Sequence, residues 1–184
     1  MNCIFLGFLI LFINFELNLD GSTVGLIPDL LGYMIMIRGL NEMAEESFIF
    51  VKIKPYAIGM AIYSGVLYII DLFGFSTRYP ISSFVFSIIA TAISMYISYS
   101  IIMGIQYTEK KYSANLNVQR LKSTWTVLAL MHIITYMLMI IGPYFFVLLC
   151  IIAVLIAVII FLIELYKSKN LYYGVISESE TRSE

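Results

Sequence analysis

Apolar runs of membrane-crossing length recur along this chain, and no other feature restricts its fold so strongly. A helix needs about 20 apolar residues to cross the hydrocarbon core, and it satisfies every backbone polar group within itself. The run 144–166 meets that requirement with one charged residue, Glu164. Five more runs can be drawn, at about 3–19, 24–40, 55–75, 81–106 and 121–141. The first two sit at the short end of the range, so the second is expected to cross with little tilt or to be partly re-entrant. Charged residues make up 12% of the chain, against about 25% in soluble domains. The expected fold is therefore all-α: an integral membrane bundle of six transmembrane helices in residues 1–170. A polar cytoplasmic tail, 171–184, follows, and its end from Ser177 reads as disordered. No Lys or Arg precedes the first run and no small-residue cleavage site follows it, so a true span is expected there rather than a removable signal.

Orientation follows from the cations. Arg38, Lys52 and Lys54 flank the link between spans two and three. Lys110, Lys111, Arg120 and Lys122 fill the link between spans four and five, and Lys167, Lys169 and Arg182 follow span six. Of the 11 cations only Arg78 lies on the other side. The positive-inside rule then puts both termini in the cytoplasm. The inner segments 41–54 and 107–125 are expected to extend their neighbouring helices or to lie at the interface, with Tyr107, Tyr112 and Trp125 at headgroup depth. The second also has the length to dock a cytoplasmic partner. The outer links are short, and none has the length of a separate domain.

An ionisable group inside a span is costly and marks a candidate site. The run Val24 to Tyr33 sets Asp29 directly after Pro28, with Gly25 and Gly32 on either side. Proline suits the first turn of a helix, and the unpaired N–H groups there favour an anion. Asp71 ends span three on a face shared with Tyr68, Ser64, Met60 and Tyr56. Glu16 and Asp20 close span one beside Asn14 and Asn18. All four carboxylates are expected at similar depth on the outer side, where the only cation is Arg78. Oxygen-rich surroundings of that kind suit a cation or an amine-bearing solute; a set of solvated helix-end acids is the plainer alternative. The candidate ligand-binding residues are Asp29, Asp71, Asn14, Tyr33, Tyr68 and His132.

His132, the only histidine, lies mid-span with Thr124, Leu128, Thr135, Tyr136 and Met139 on its face. It reads either as an imidazole bonded to a neighbouring helix or as a proton relay or ligand contact. Span four carries Ser83, Ser87, Thr91, Ser94 and Ser98 in a one-sided stripe that suits close helix packing. Ala153 and Ala157, with Cys150, form a second small-residue seam. Glu164 and Arg38 are placed where both can reach water. Cys3 and Cys150 read as buried structural thiols without metal or disulfide spacing, so no metal or cofactor is implied. Nucleophile-elbow, His-Glu-x-x-His and phosphate-loop signatures are absent from the sequence. The remaining enzyme reading is an intramembrane aspartyl hydrolase in which Asp29 and Asp71 share a proton. Nothing in the charge pattern favours nucleic acid.

The run Ile27-Pro28-Asp29-Leu30-Leu31-Gly32-Tyr33, followed by Arg38-Gly39-Leu40, resembles a segment of small multispanning membrane proteins of Gram-positive bacteria. Those carry a Pro-Asp-x-x-Gly-Tyr run before an apolar stretch and Gly-Leu. The resemblance covers about 20 residues, implies a bacterial plasma membrane, and brings no activity. Six spans in a chain of this size is also similar in architecture to the substrate-binding subunits of energy-coupling-factor vitamin transporters, although span one lacks the alanine seam of that family. The leading expectation is a transport or ligand-binding component in the lipid bilayer. The competing one is a non-catalytic accessory or immunity subunit that binds a membrane protein partner.

Overall fold

The computed structural model describes residues 1–12, 16–19, 22–25, 29–72 and 80–181, with 16–19, 22–25, 71–72, 80–83 and 179–180 described by backbone alone. Six helices and one antiparallel strand pair follow in order among these residues: α1 Asn2–Phe12, β1 Glu16–Leu19, β2 Ser22–Gly25, α2 Asp29–Glu42, α3 Phe48–Leu72, α4 Pro80–Lys111, α5 Val118–Ile141 and α6 Tyr144–Thr181. The fold is all-α, with the small hairpin set between the first two helices. α3, α4, α5 and α6 are long and apolar enough to cross a membrane.

The first two helices differ from the expected spans 3–19 and 24–40. α1 has 11 residues and α2 has 14, or about 17 and 21 Å at 1.5 Å per residue, short of a hydrocarbon core of about 30 Å. Between them Glu16 pairs with Gly25 and Leu19 with Ser22. The physical reason lies in Glu16-Leu17-Asn18-Leu19-Asp20, where apolar and polar residues alternate with the period of a strand. Asp20-Gly21, between the paired ends, is the dipeptide that favours the tightest hairpins. β2 lies against α3.

The chain divides into two compact units, Met1–Ile101 and Ile102–Glu184, with the boundary inside α4. In the first unit, α1 and α2 pack antiparallel and almost backbone to backbone. A Cβ added at Gly7 would stand 2.8 Å from Met36 Cβ and 2.9 Å from the Gly32 carbonyl. At Gly39 it would stand 2.5 Å from the Ile4 backbone nitrogen. Only glycine allows such an approach, the small-residue mode of packing that helices use in lipid. At one end of the pair the Glu42 carboxylate accepts the Cys3 thiol at 3.2 Å and meets Arg38 Nε at 3.5 Å. Cys3 is thus half-buried and hydrogen-bonded rather than an inert core thiol. Ser47 starts α3 by accepting the Ile49 N–H at 3.3 Å. α3 begins well before Pro55, which stands inside it.

In the second unit, α4 ends at Lys111 and the chain turns back through Ser113 and Asn117, both left-handed with φ 49° and 64°. Glu109 accepts the Leu116 N–H at 2.8 Å and the Val118 N–H at 3.4 Å, so one carboxylate serves the start of α5. Leu116, only 1% exposed, anchors this turn. α5 and α6 pack against each other, with Leu121, Leu128, Phe161 and Leu165 buried. At the opposite end Gly142 caps α5 by donating to the Leu138 carbonyl at 2.7 Å. α6 has 38 residues and is continuous past the apolar run. The tail expected to be disordered from Ser177 is therefore helical through Thr181, with Ser177 Oγ donating to the Gly174 carbonyl at 2.8 Å. Tyr172, buried on this extension, gives the helix a packed face that composition alone does not reveal.

Candidate functional site

Asp29 opens α2, half-buried, at the helix end where dipole and unpaired N–H groups favour a carboxylate. Tyr33 follows one turn later on the same face. It is 4% exposed, and its hydroxyl shares a hydrogen bond of 2.7 Å with Ser94 Oγ of α4. Leu30 ties the same end of α2 to α3: a Cβ at Gly65 would sit 3.6 Å from both Leu30 methyl carbons. Three helices therefore meet around the carboxylate-bearing end of α2.

Tyr68, half-buried, stands one turn beyond Gly65 on α3. Asp71 lies in the last turn of α3, about 9 Å along the axis from Gly65; it is described by its backbone alone. The first unit thus brings Asp29, Tyr33, Tyr68 and the Asp71 backbone to the same end of the α2–α3 pair. Asn14 lies outside the described residues. His132 belongs to the second unit. Its Nδ1 donates to the Leu128 carbonyl at 2.9 Å, one turn back on its own helix, rather than bonding to a neighbouring one. Thr135 on the same face is buried and likewise bonds back to Met131 at 2.7 Å. His132 and Thr135 therefore both bond back to their own helix.

The stripe on α3 is less polar than its residue types suggest. Ser64 Oγ donates to the Met60 and Ala61 carbonyls at 2.9 and 3.2 Å, so its hydroxyl is used locally. Below it, Tyr56, Met60 and Tyr63 line a groove of about 420 Å³ between α3 and α4. Pro55, Gly59, Phe86, Ile89, Ala90 and Ile93 complete the lining, which is almost wholly apolar. Tyr56 meets Tyr96 edge-on across it, with centroids 5.1 Å apart.

Two contributors were not evident in the sequence. Ser94 belongs to a packing stripe, and only its hydrogen bond across from α4 makes it the partner of Tyr33. Glu164, expected to reach water, is 7% exposed. Its carboxylate accepts Asn117 Nδ2 at 2.5 Å and Lys167 Nζ at 2.6 Å, fastening the turn before α5 to α6. The i,i+3 spacing of Glu164 and Lys167 was a legible signal; the asparagine, 47 residues away, was not. No group of three or more His, Cys, Asp or Glu among the described residues could hold a metal ion. The chain matches no family model, and no curated protein or solved structure is similar to it.

Proposed function

We propose that this chain is a transport or ligand-binding component of a bacterial plasma membrane, with an acidic outward-facing site for a cation or small amine-bearing solute. The observation that carries the reading is the meeting of three helices at the end of α2 that Asp29 opens, with the Tyr33–Ser94 hydrogen bond one turn away. A half-buried carboxylate beside a fixed hydroxyl pair supplies charge and orientation to a cationic solute. Asp71 adds a second carboxylate at the end of α3. Four crossings by α3 to α6 return the chain to its starting side, and the cation bias makes that side cytoplasmic. Asp29 then faces outward, because its end of α2 lies against the far end of α3.

The test is thermal stabilisation of the detergent-purified protein by a panel of mono- and divalent cations, ethanolamine and choline. At least one member is expected to raise Tm. Asp29→Asn and Asp71→Asn are expected to abolish the shift while helical content is unchanged. A wild-type protein indifferent to the whole panel, or a shift that survives both substitutions, removes the proposal.

A second reading has its own observation. The outer parts of α5 and α6 are apolar and exposed, with Ile141 and Tyr144 83% and 94% accessible. An accessory subunit would present such a surface to a membrane protein partner as well as to lipid. Co-purification of one stoichiometric partner in mild detergent, with no solute binding, would favour it.

A further inference from the structure

The groove between α3 and α4 lies apart from Asp29, and its origin is plain in the residues. A Cβ at Gly59 would meet nothing within 4 Å, and Ala90 faces the gap from α4. Small residues on both helices thus leave a hollow of about 420 Å³, within the usual range of binding pockets. Phe86 and Ile89 in its wall are half-exposed, so the hollow is open to one side. In a bilayer such an opening faces hydrocarbon, and an apolar hollow admits apolar atoms rather than water.

The end of the groove carries charge. Lys52, exposed, stands one turn before Tyr56 on the same face of α3, whereas Lys54 lies on the opposite face. Among the described residues the Lys52 ammonium has no carboxylate partner. From Lys52 to Tyr63, α3 advances about 17 Å, close to one leaflet of a hydrocarbon core about 30 Å thick. The Tyr56–Tyr96 pair sits near the charged end, at the level where aromatic rings meet headgroups.

We propose that this groove holds one acyl chain of an anionic phospholipid, with the headgroup phosphate on Lys52. The chain fills the space that Gly59 leaves, and the lysine selects the charge. The site does not depend on the acidic end of α2.

The experiment uses the purified full chain, stripped of lipid and titrated with phosphatidylglycerol and phosphatidylcholine of matched chains, with bound lipid counted by native mass spectrometry. One phosphatidylglycerol is expected to bind in preference to phosphatidylcholine. Lys52→Gln is expected to cut that preference about fivefold, since a basic group near a membrane surface contributes measurably to anionic-lipid binding. Lys54→Gln, on the opposite face, is expected to leave it unchanged; equal losses in the two variants overturn the placement of the headgroup. Gly59→Leu places its side chain in the open hollow and is expected to abolish the bound lipid without loss of helical content. Equal affinity for the two lipids in the wild-type protein overturns the proposal, as does a Gly59→Leu variant that keeps its lipid. The Lys52 variant lies outside the packed core and stays informative should Gly59→Leu fail to fold.

Discussion

The α1–α2 pair and the α5–α6 pair solve the same problem by opposite means. α1 and α2 are short, and they gain contact by bringing backbones together at Gly7, Gly32 and Gly39. α5 and α6 are long, and they hold together through large side chains such as Leu128 and Phe161, with Glu164 as a polar clamp at one end. The first pair tolerates no added atom at its contact. The second exposes most of its apolar residues near the turn that joins the two helices and depends on a few buried ones. Close packing over a short length fixes the Asp29 end of α2 firmly. Length with sparse packing leaves α5 and α6 most of their surface for lipid or a partner.

The sharpest way to break this contrast is Gly39→Leu. Its Cβ would fall 2.5 Å from backbone, which cannot rotate away; overpacking costs about 1–3 kcal/mol and more when backbone must move. A large fall in Tm and loss of monodisperse protein on size exclusion are expected, and an unchanged Tm would mean the pair is not backbone-packed. Next comes Glu164→Ala, which strands Asn117 and Lys167 and is expected to cost about 1–3 kcal/mol in thermal unfolding. The equivalent change at exposed Glu178 should be silent; equal effects would show that the clamp contributes nothing. Tyr33→Phe removes one buried hydroxyl and is expected to cost about 1 kcal/mol. Ser94→Ala should add little on top of it, so a double-mutant cycle that proves additive would refute the bond. The smallest change is Gly59→Ala, with open space around it. It is expected to stabilise by about 0.5–1 kcal/mol through a stiffer unfolded chain and better helix propensity. The opposite signs expected at Gly39 and Gly59 test whether a glycine packs or merely opens a gap.

The helical class and the four long helices were legible because apolar length is a direct requirement of the bilayer. Expected boundaries at 81 and 144 stand close to Pro80 and Tyr144, where proline and Gly142-Pro143 punctuate the chain. The first 40 residues misled because hydrophobicity summed over a window cannot separate a helix followed by a strand from one longer helix. The alternation from Glu16 to Asp20 carried the information at a shorter range. In the site, Asp29 and Tyr33 were legible from cost and helical spacing. Ser94 and the groove were not, since both arise from contacts between separate helices, which no local pattern encodes. Glu164 looked exposed for the same reason: its concealment comes from a turn held by Asn117, far off in sequence.

The uninterrupted run of α6 has a mechanical consequence. Its 38 residues make a rod of about 57 Å, and only about 35 Å of it is apolar run. A rod pivoting about its Tyr144 end by about 10° carries its far end sideways by about 10 Å. Long helices answer changes in bilayer thickness by tilting. A small change in the tilt of the apolar run Tyr144 to Tyr166 therefore becomes a large displacement of the charged segment around Glu178.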